Sequence, residues 1–275
     1  MTFSIVARST DGASHGVAVA SKFLAVGAAV PAAEAAIGAL ATQSYANLAY
    51  RPQGLALLRT QVAAADVVAG LTAADPGREQ RQLGVVGTSG DGATYTGTQC
   101  HGWAGGRVGD GYAIQGNILT GPEVVAAMEA AFLASDPSAP LARRLLAALR
   151  AGDEAGGDRR GRQSAALLVV SPGQGYGGTS DTVVELRVDD HTAPMAELTR
   201  LLDIHTLLFD KPDPATLIPL AGEIAEEVRT RLTALGHPQE DLDEAIADWA
   251  GIENLEERMV PDHIDPLVLT HLRTL

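Results

Sequence analysis

The sequence predicts a mixed α/β protein, in which antiparallel sheets are covered by helices, followed by a small acidic helical tail. The predicted elements run strands, helices, strands, helix, whereas a doubly wound parallel sheet requires a regular alternation of strand and helix. The predicted strands are short and apolar, which is typical of sheets covered on both faces. The proline-containing segment 210–214 separates the two parts. We therefore predict a first domain at 1–209, a linker at 210–214 and a helical domain at 215–275.

Short apolar runs bounded by turn residues predict the strands. These runs lie at 3–8, 16–21, 37–43, 83–88, 93–99, 111–119, 165–170 and 182–188. The turn at Asp11-Gly12 makes the first two runs a predicted hairpin, and the turn at 89–92 does the same for 83–88 and 93–99.

Apolar residues at helical spacing predict the helices. The predicted helices lie at 52–73, at 138–151, at 193–208 and, in the tail, at 215–235. A further helix should start at Thr120-Gly-Pro-Glu123, because this is a capping box with proline in the first turn.

Composition and charge exclude several classes of protein. The chain has 275 residues, of which 46% are hydrophobic, so a packed globule is expected. No apolar run reaches the roughly 18 residues of a membrane span, and the N-terminus lacks the features of a signal peptide. We therefore expect a cytoplasmic protein that does not contact membranes. The net charge is −14, of which −10 falls in residues 210–275, so nucleic acid is an unexpected partner.

Motifs for metals and cofactors are incomplete. Cys100 is the single cysteine, so an internal disulfide and a cysteine-cluster metal site are excluded. The run Gly173–Gly178 matches the dinucleotide-binding pattern, but strand-like residues follow it instead of a helix. We therefore expect no cofactor and no bound metal ion.

Thr2 is the first candidate for chemistry. Removal of Met1 would leave a threonine with a free α-amine, so that one residue carries both nucleophile and base. Such a residue must stand at the start of a buried strand, and the run 3–8 provides one. Many proteins begin Met-Thr, so the dipeptide alone is weak support.

Lys22 and Asn117 are candidates because each ends a predicted strand. Lys22 ends the hairpin partner of the first strand, and it is the only lysine before Lys211 in a chain that otherwise uses arginine. Its charge near Thr2 would lower the pKa of the terminal amine and stabilise negative charge. Asn117 either donates to an oxyanion or shapes the turn into the next helix.

The segment from Asp158 to Ser164 concentrates charge in a glycine-rich loop. Arginine side chains match carboxylates, so this loop is either an anion-binding wall or an ordinary solvated loop. Asp158 alternatively orients the N-terminal amine. The candidate substrate-binding residues here are Arg159, Arg162, Gln163 and Ser164.

Asp189, Asp190 and His191 follow the last predicted strand. Two carboxylates and a histidine are compatible with a metal-dependent or acid–base site, and equally with an aspartate-rich turn before a helix. The metal-dependent hydrolase ranks last among our hypotheses because its ligands are few and clustered.

Six blocks of sequence together resemble one family, an Ntn-hydrolase-like (N-terminal-nucleophile) family known as domain of unknown function 1028. The blocks lie at 2–7, 16–22, 41–47, 109–117, 157–164 and 186–191, so the resemblance covers about residues 2–209. The tail, with Gly251-Ile-Glu-Asn-Leu-Glu-Glu257, is similar to a small peptidoglycan-binding-like domain.

The resemblance implies a four-layer αββα sandwich and a hydrolase of small amides or peptide-like substrates. It implies Thr2 as nucleophile, Lys22 as charge stabiliser and Asn117 as oxyanion donor, with Asp158 beside them. It places Gln43, Asn47, Asp190 and His191 among the substrate-binding candidates. The alternative is a ligand-binding or scaffold protein that kept the fold without the chemistry. An exposed sheet edge and the acidic tail favour a homodimer.

Overall fold

The computed structural model describes residues 2–275 and separates into two compact units, one ending at Arg200 and one comprising Leu201–Leu275. Met1 lies outside the described residues, so its predicted removal stays a prediction. The predicted boundaries 1–209, 210–214 and 215–275 also stay predictions. Each unit encloses its own apolar core.

The strands of the first unit are β1 (Thr2–Arg8), β2 (His15–Ser21), β3 (Pro31–Glu34), β4 (Gly38–Gln43), β5 (Gln82–Gly87), β6 (Gly92–Thr96), β7 (Trp103–Gly109), β8 (Tyr112–Leu119), β9 (Ser164–Val170) and β10 (Thr182–Val188). The helices are α1 (Val26–Ala29), α2 (Tyr50–Arg59), α3 (Ala64–Ala73), α4 (Glu123–Ala134), α5 (Leu141–Glu154) and α6 (Pro194–Phe209), which begins in the first unit and ends in the second.

β1 lies inside a six-stranded antiparallel sheet with the order β10-β9-β2-β1-β8-β7. It pairs with β2 as the predicted hairpin, with Phe3 opposite Ala20, and with β8 on its other side, with Thr2 opposite Asn117. The strand is buried from its first residue to Ala7, because both faces of the sheet are covered. Thr2 therefore lies inside the molecule.

Alternation along β1 divides its side chains between two layers. Phe3 lies beside Gly152 on the face covered by α4 and α5. Ser4 and Val6 face the second sheet, of order β3-β4-β5-β6, whose other side is covered by α2 and α3. The prediction of a mixed α/β fold with antiparallel sheets is confirmed. Because Thr2 lies on the same face of β1 as Ser4, its side chain lies between the two sheets.

The predicted helix at 52–73 is wrong in one respect, since the chain breaks it into α2 and α3. Gln61 adopts a left-handed conformation with φ of 62°, which an α-helix does not accommodate. The side chain of Asp91 then accepts a hydrogen bond from the Ala64 backbone N–H and caps the second helix. The second helix thus begins where a side chain from a distant turn caps it, and apolar spacing alone does not reveal such a cap.

Two strands of the first unit lie outside the predicted set among the described residues. β3 is the alanine-rich segment Pro31–Glu34, whose composition does not favour a strand. β7 is a partly exposed edge strand with three glycines in seven residues. Pairing with β4 and β8 respectively determines these two strands, more than local propensity does.

The second unit contains α7 (Gly222–Ala234), α8 (Leu242–Glu253) and α9 (Pro266–Thr274) around a buried Trp249. The helix predicted at 215–235 starts later, because β11 (Ile218–Pro219) pairs with β12 (His263–Ile264). Arg258 and Asp265 form an ion pair of 2.8 Å, in which both side chains are buried.

Candidate active site at the start of the first strand

Thr2 lines a pocket of about 320 Å³ in the first unit. The other lining residues come from the loop after β2, from α1 and the residue that follows it, from the end of β4 and the loop after it, from the loop before β7, from the end of β8, and from the loop before β9. They are Phe23, Val26, Ala29, Val30, Gln43, Ser44, Tyr45, Ala46, His101, Asn117, Ile118 and Arg160. The pocket thus gathers residues distant in sequence around the first residue of β1. It is the cavity in which a reactive Thr2 would meet a substrate.

The Thr2 side chain has a hydroxyl neighbour. Thr2 Oγ1 lies 3.1 Å from Oγ of Ser21, the last residue of β2, and both residues are buried. The Thr2 carbonyl accepts a hydrogen bond of 3.2 Å from Gln43 Nε2 and a longer one of 3.5 Å from Asn117 Nδ2. The backbone and the hydroxyl of Thr2 are therefore both held by polar contacts.

Buried amide side chains connect the two sheets below Thr2. Gln43 Oε1 accepts a hydrogen bond of 2.8 Å from Ser4 Oγ, and Gln43 Nε2 donates one of 2.8 Å to Gln82 Oε1. Gln115 Nε2 donates to Ser4 Oγ at 2.6 Å. Buried amides need such partners, because leaving one unsatisfied costs about 1–3 kcal/mol. This network fixes the position of β1 relative to the second sheet.

Asn117 belongs to the same network. Its Nδ2 donates to Gln82 Oε1 at 2.9 Å, whereas its buried Oδ1 has no hydrogen-bond partner within residues 2–275. An oxyanion needs a donor, and the two N–H groups of this amide already donate to Gln82 and, at 3.5 Å, to the Thr2 carbonyl. The structure thus places Asn117 beside Thr2 with its nitrogen turned toward the network.

Unusual backbone conformations cluster at this pocket. Eight non-glycine residues within 2–275 have positive φ, and three of them line the pocket: Ser44 at 59°, Tyr45 at 48° and Ile118 at 50°. Ala25, at 52°, directly precedes the lining residue Val26. A β-branched residue such as Ile118 rarely adopts this conformation, which costs of order 1–3 kcal/mol. Strain of this kind concentrates at functional sites.

A β-bulge accompanies Ile118. Between the pairs Trp103–Leu119 and Gly105–Gly116, β7 advances two residues and β8 advances three. The extra residue in β8 bends the strand after Asn117, as β-bulges do beside binding sites. Ile118 N–H donates to the His101 carbonyl at 2.9 Å and so brings His101 to the pocket.

Asp158 connects the predicted site residue Lys22 to Arg160 through backbone groups. Its Oδ2 accepts a hydrogen bond of 2.7 Å from the Lys22 backbone N–H, and its Oδ1 accepts one of 2.8 Å from the Arg160 backbone N–H. The Arg160 guanidinium adds longer contacts of 3.3 and 3.4 Å. Lys22 itself is exposed and does not line the pocket. The structure thus places the Lys22 backbone, but not its ammonium group, in this arrangement.

The other arginines of the loop lie elsewhere. Arg159 is exposed and its backbone N–H donates to the Ile118 carbonyl at 3.3 Å. Arg162 Nε contacts both carboxylate oxygens of Asp153, at 2.7 and 2.9 Å. Arg160 is the arginine of this loop that lines the Thr2 pocket.

The remaining candidates of the loop form a separate group around the start of β9. Ser164 Oγ accepts a hydrogen bond from the Val26 backbone N–H at 3.2 Å, so it supports a lining residue from behind. Gln163 Nε2 donates to Asp190 Oδ1 at 3.1 Å, and the Gln163 carbonyl accepts from the His191 N–H at 2.7 Å. None of these side chains lines the Thr2 pocket among the described residues.

Asn47 lies in an acidic network next to the pocket segment. Its Nδ2 donates to Asp75 Oδ2 at 3.0 Å, and Asp75 also accepts from Tyr50 Oη at 2.9 Å and from Arg81 Nε at 2.9 Å. The Arg81 guanidinium holds the pKa of Asp75 well below its usual range. Burial, together with Asp75, raises the pKa of Tyr50 above its ordinary value. The network anchors the turn that carries Ser44 and Tyr45.

Several residues of the site were outside the predicted set. Gln82, Ser21, Tyr45, His101 and Arg160 take part in it. Strand alternation offers a signal for Gln82 and Gln43, since each begins or ends an otherwise apolar strand. No local pattern indicates His101, because a bulge and a left-handed Ile118 bring it to the pocket.

The described residues show no group of three or more histidine, cysteine, aspartate or glutamate side chains arranged to hold a metal ion. Asp189 is engaged by the Arg187 guanidinium at 3.1 Å, and His191 Nδ1 accepts from the Ala193 N–H at 3.0 Å. Within residues 2–275, no helix is both long enough and apolar enough to span a membrane.

Comparison with known proteins gives two family matches. Residues 2–198 match the model described as "Family of unknown function (DUF1028)", and residues 208–272 match the model described as "Putative peptidoglycan binding domain". A crystal structure of a DUF1028 protein from Silicibacter pomeroyi is similar with a TM-score of 0.67 at 31% identity, covering 83% of this chain and 93% of that one. A search of curated proteins finds no match. Because the family model matches most of its length, this chain belongs to the DUF1028 family of unknown function.

Proposed function

We propose that this chain is an Ntn-type hydrolase of small amides, in which Thr2 is the nucleophile once Met1 has been removed. The observation that carries the proposal is the position of Thr2, a buried first strand residue lining a pocket of about 320 Å³. The order of layers, with helices outside two stacked sheets, supports assigning the αββα sandwich of Ntn hydrolases.

The proposed reaction uses groups that Thr2 carries itself. The α-amine accepts the proton of the Thr2 hydroxyl while Oγ1 attacks the carbonyl carbon of the amide. The C–N bond then breaks, the leaving amine takes up the proton, and an ester on Thr2 remains. Water attacks that ester, which releases a carboxylic acid and regenerates the hydroxyl.

The neighbouring residues support this reaction through position. Ser21 Oγ lies within hydrogen-bond distance of Oγ1, and Gln43 holds the Thr2 carbonyl. Asn117 acts as the predicted oxyanion donor only after its nitrogen gives up its bond to Gln82 or its longer contact with the Thr2 carbonyl. Lys22 acts as the predicted charge stabiliser only if its exposed side chain folds over the pocket. The backbone strain at Tyr45 and Ile118 supports a functional role for this cavity.

The test is a screen of small amides with three variants. Thr2→Ala removes the nucleophile, so turnover should be lost, whereas Thr2→Ser keeps a hydroxyl and should retain part of it. Ser4→Ala is the matched control, because it removes a buried β1 hydroxyl on the same face. Turnover that survives in Thr2→Ala would contradict the proposal.

The alternative function is a ligand-binding protein on the same fold. It is favoured by the Lys22 ammonium lying outside the pocket and by the engaged nitrogen of Asn117. This alternative predicts a ligand that binds and is released unchanged by both the natural chain and Thr2→Ala.

The other expectations stay part of this proposal. We propose a cytoplasmic homodimer whose partners are small molecules, with a second domain that resembles peptidoglycan-binding domains over residues 208–272. Light scattering on the full chain measures the oligomeric state.

A further inference from the structure

We propose that the Thr2 pocket takes a small amide that carries both an apolar group and a carboxylate, as an N-acylated amino acid does. This inference names the substrate class of the proposed amide hydrolase and rests on that function. Two features of the pocket wall carry it: a predominantly apolar lining and one guanidinium group.

The apolar part of the lining is large and reaches the surface. Phe23 and Tyr45 line the pocket although 54% and 62% of their surfaces are exposed. Val26 and Val30 continue this wall into the buried interior. Exposed aromatic side chains beside a cavity mark binding surfaces, because an apolar ligand group would remove them from water.

Arg160 supplies the permanent charge of the lining. Among the described lining residues it is the one arginine or lysine, and 45% of its side chain is exposed. A planar guanidinium matches the two oxygens of a carboxylate and binds it more strongly than a neutral donor does.

Asp158 does not prevent Arg160 from binding an anion. The Asp158 carboxylate accepts backbone hydrogen bonds of 2.7 and 2.8 Å from Lys22 and Arg160, which are shorter than its side-chain contacts of 3.3 and 3.4 Å. Backbone groups thus satisfy this carboxylate when the guanidinium shifts toward a ligand. Asp158 itself does not line the pocket.

The size of the pocket agrees with a small molecule. Ligand cavities occupy about 300–1,000 Å³, and this one lies at the lower end of that range. A single arginine suits a carboxylate better than a phosphate, whose three oxygens call for more donors. The chemistry that fits is therefore an acyl group on the apolar side, an amide near Thr2 and a carboxylate near Arg160.

The test measures binding to the full-length Thr2→Ala variant, which keeps a substrate uncleaved. Isothermal titration calorimetry compares N-benzoylglycine with its neutral counterpart N-benzoylglycinamide and with N-acetylglycine, which lacks the large apolar group. We expect N-benzoylglycine to bind about tenfold or more tightly than N-benzoylglycinamide, because only the carboxylate forms a charge-assisted pair with Arg160. It should also bind about tenfold or more tightly than N-acetylglycine, because the benzoyl group buries more apolar surface.

Two arginine variants locate the charge. Arg160→Gln should bring N-benzoylglycine to the affinity of its neutral counterpart, and Arg160→Lys should give an intermediate value, because lysine keeps the charge without the fork. Arg159→Gln is the matched control, since Arg159 is exposed and adjacent but does not line the pocket. Circular dichroism checks that each variant is folded.

Equal affinity for the charged and neutral compounds, equal effects of Arg160→Gln and Arg159→Gln, or no binding of any of the three would overturn the inference. The proposed hydrolysis fails separately. Binding with the expected preference and no cleavage by the natural chain contradicts the hydrolase and leaves the ligand class intact. Thr2-dependent cleavage without preference for a carboxylate contradicts the ligand class and leaves the hydrolase intact.

Discussion

The hydroxyl of Thr2 lies 3.1 Å from the hydroxyl of Ser21 on the neighbouring strand. β1 and β2 pair antiparallel, so the first residue of one strand meets the last residue of the other. Both residues are at least nine-tenths buried, so bulk water competes little for the hydrogen bond between their hydroxyls. Ser21 is thus the hydroxyl best placed to influence the reactivity of Thr2.

Ser21→Ala should lower kcat on an amide substrate by about fivefold, with little change in KM. The lost hydrogen bond is worth about 1 kcal/mol, and 1.36 kcal/mol corresponds to a factor of ten in rate. Steady-state kinetics of Ser21→Ala and Ser21→Thr measure the effect, and Ser21→Thr should recover activity because it keeps the hydroxyl. A kcat unchanged in Ser21→Ala would remove Ser21 from the mechanism.

Gln43→Leu should reduce both stability and turnover. The substitution removes the hydrogen bonds that join Gln43 to Ser4 Oγ, the Thr2 carbonyl and Gln82 Oε1, and each such bond is worth about 0.5–1.5 kcal/mol. Gln43 also donates a hydrogen bond to the Thr2 carbonyl and so positions Thr2. The decrease in kcat should therefore be larger than the decrease in the fraction of folded protein. Denaturant unfolding and kinetics on the same samples separate these effects.

Gln82→Leu is the matched control for Gln43. Gln82 bonds to Gln43 and Asn117 but makes no direct hydrogen bond to Thr2 among the described contacts. It should therefore cost similar stability with a smaller loss of kcat. If both variants lose kcat equally, Gln43 acts only through folding and is not a positioning residue.

The layered fold could be predicted from the sequence for a physical reason. Strands β1, β2, β8 and β9 are apolar runs with turn residues at their ends, and burial on both faces selects such runs. β3 and β7 were not accessible, because alanine and glycine carry little strand propensity and only pairing places them in sheets.

The candidate site could be predicted from the sequence only in part. The position of Thr2 follows from its place before an apolar strand, that of Asn117 from its place at the end of one, and Gln43 follows from the family resemblance. The roles of Arg160 and His101 depend on a β-bulge and on a left-handed Ile118, and an apolar β-branched residue gives no sign of that conformation. Charge density in the segment 157–164 indicated a site but could not tell Arg160 from Arg159.

Asp75→Asn should destabilise the chain by about 2 kcal/mol near neutral pH. The carboxylate accepts hydrogen bonds from Arg81, Tyr50 and Asn47, and bonds to a charged group contribute about 1.5–3 kcal/mol. Its pKa is lowered in the folded state, chiefly by Arg81, so its stabilisation is present above the unfolded pKa of about 3.9. That stabilisation is lost as the pH falls through the folded pKa.

The natural chain and Asp75→Asn should therefore approach each other in stability below about pH 3.9. Thermal unfolding at a series of pH values measures this convergence. Asp66→Asn is a suitable control, because Asp66 is an exposed carboxylate in the first turn of α3. A stability difference that stays constant with pH would contradict the role of the Asp75 carboxylate.

His15→Leu should reduce the loss of stability on mild acidification. The His15 ring is fully buried and desolvation lowers its pKa, which outweighs the opposing effect of the Gly87 backbone, while the nearby Arg8 charge lowers it further. The unfolded chain therefore binds a proton near pH 6.5 that the folded chain resists. Stability contributed by neutral His15 is complete above about pH 6.5 and declines as the pH falls.

Denaturant unfolding at about pH 7.5 and about pH 5.5 measures this effect. His205→Leu is the control, because His205 is partly exposed. Equal acid sensitivity in the natural chain and in His15→Leu would show that another group titrates.

The central claim is that Thr2 becomes an N-terminal nucleophile, and the mass of the natively expressed chain tests it most directly. An intact-mass spectrum of protein expressed without an N-terminal tag, with sequencing of the first peptide, establishes the first residue. The account predicts a chain shorter by one methionine that begins at Thr2. A chain that fully retains Met1 would contradict it, because Thr2 would then lack the free amine that the reaction requires.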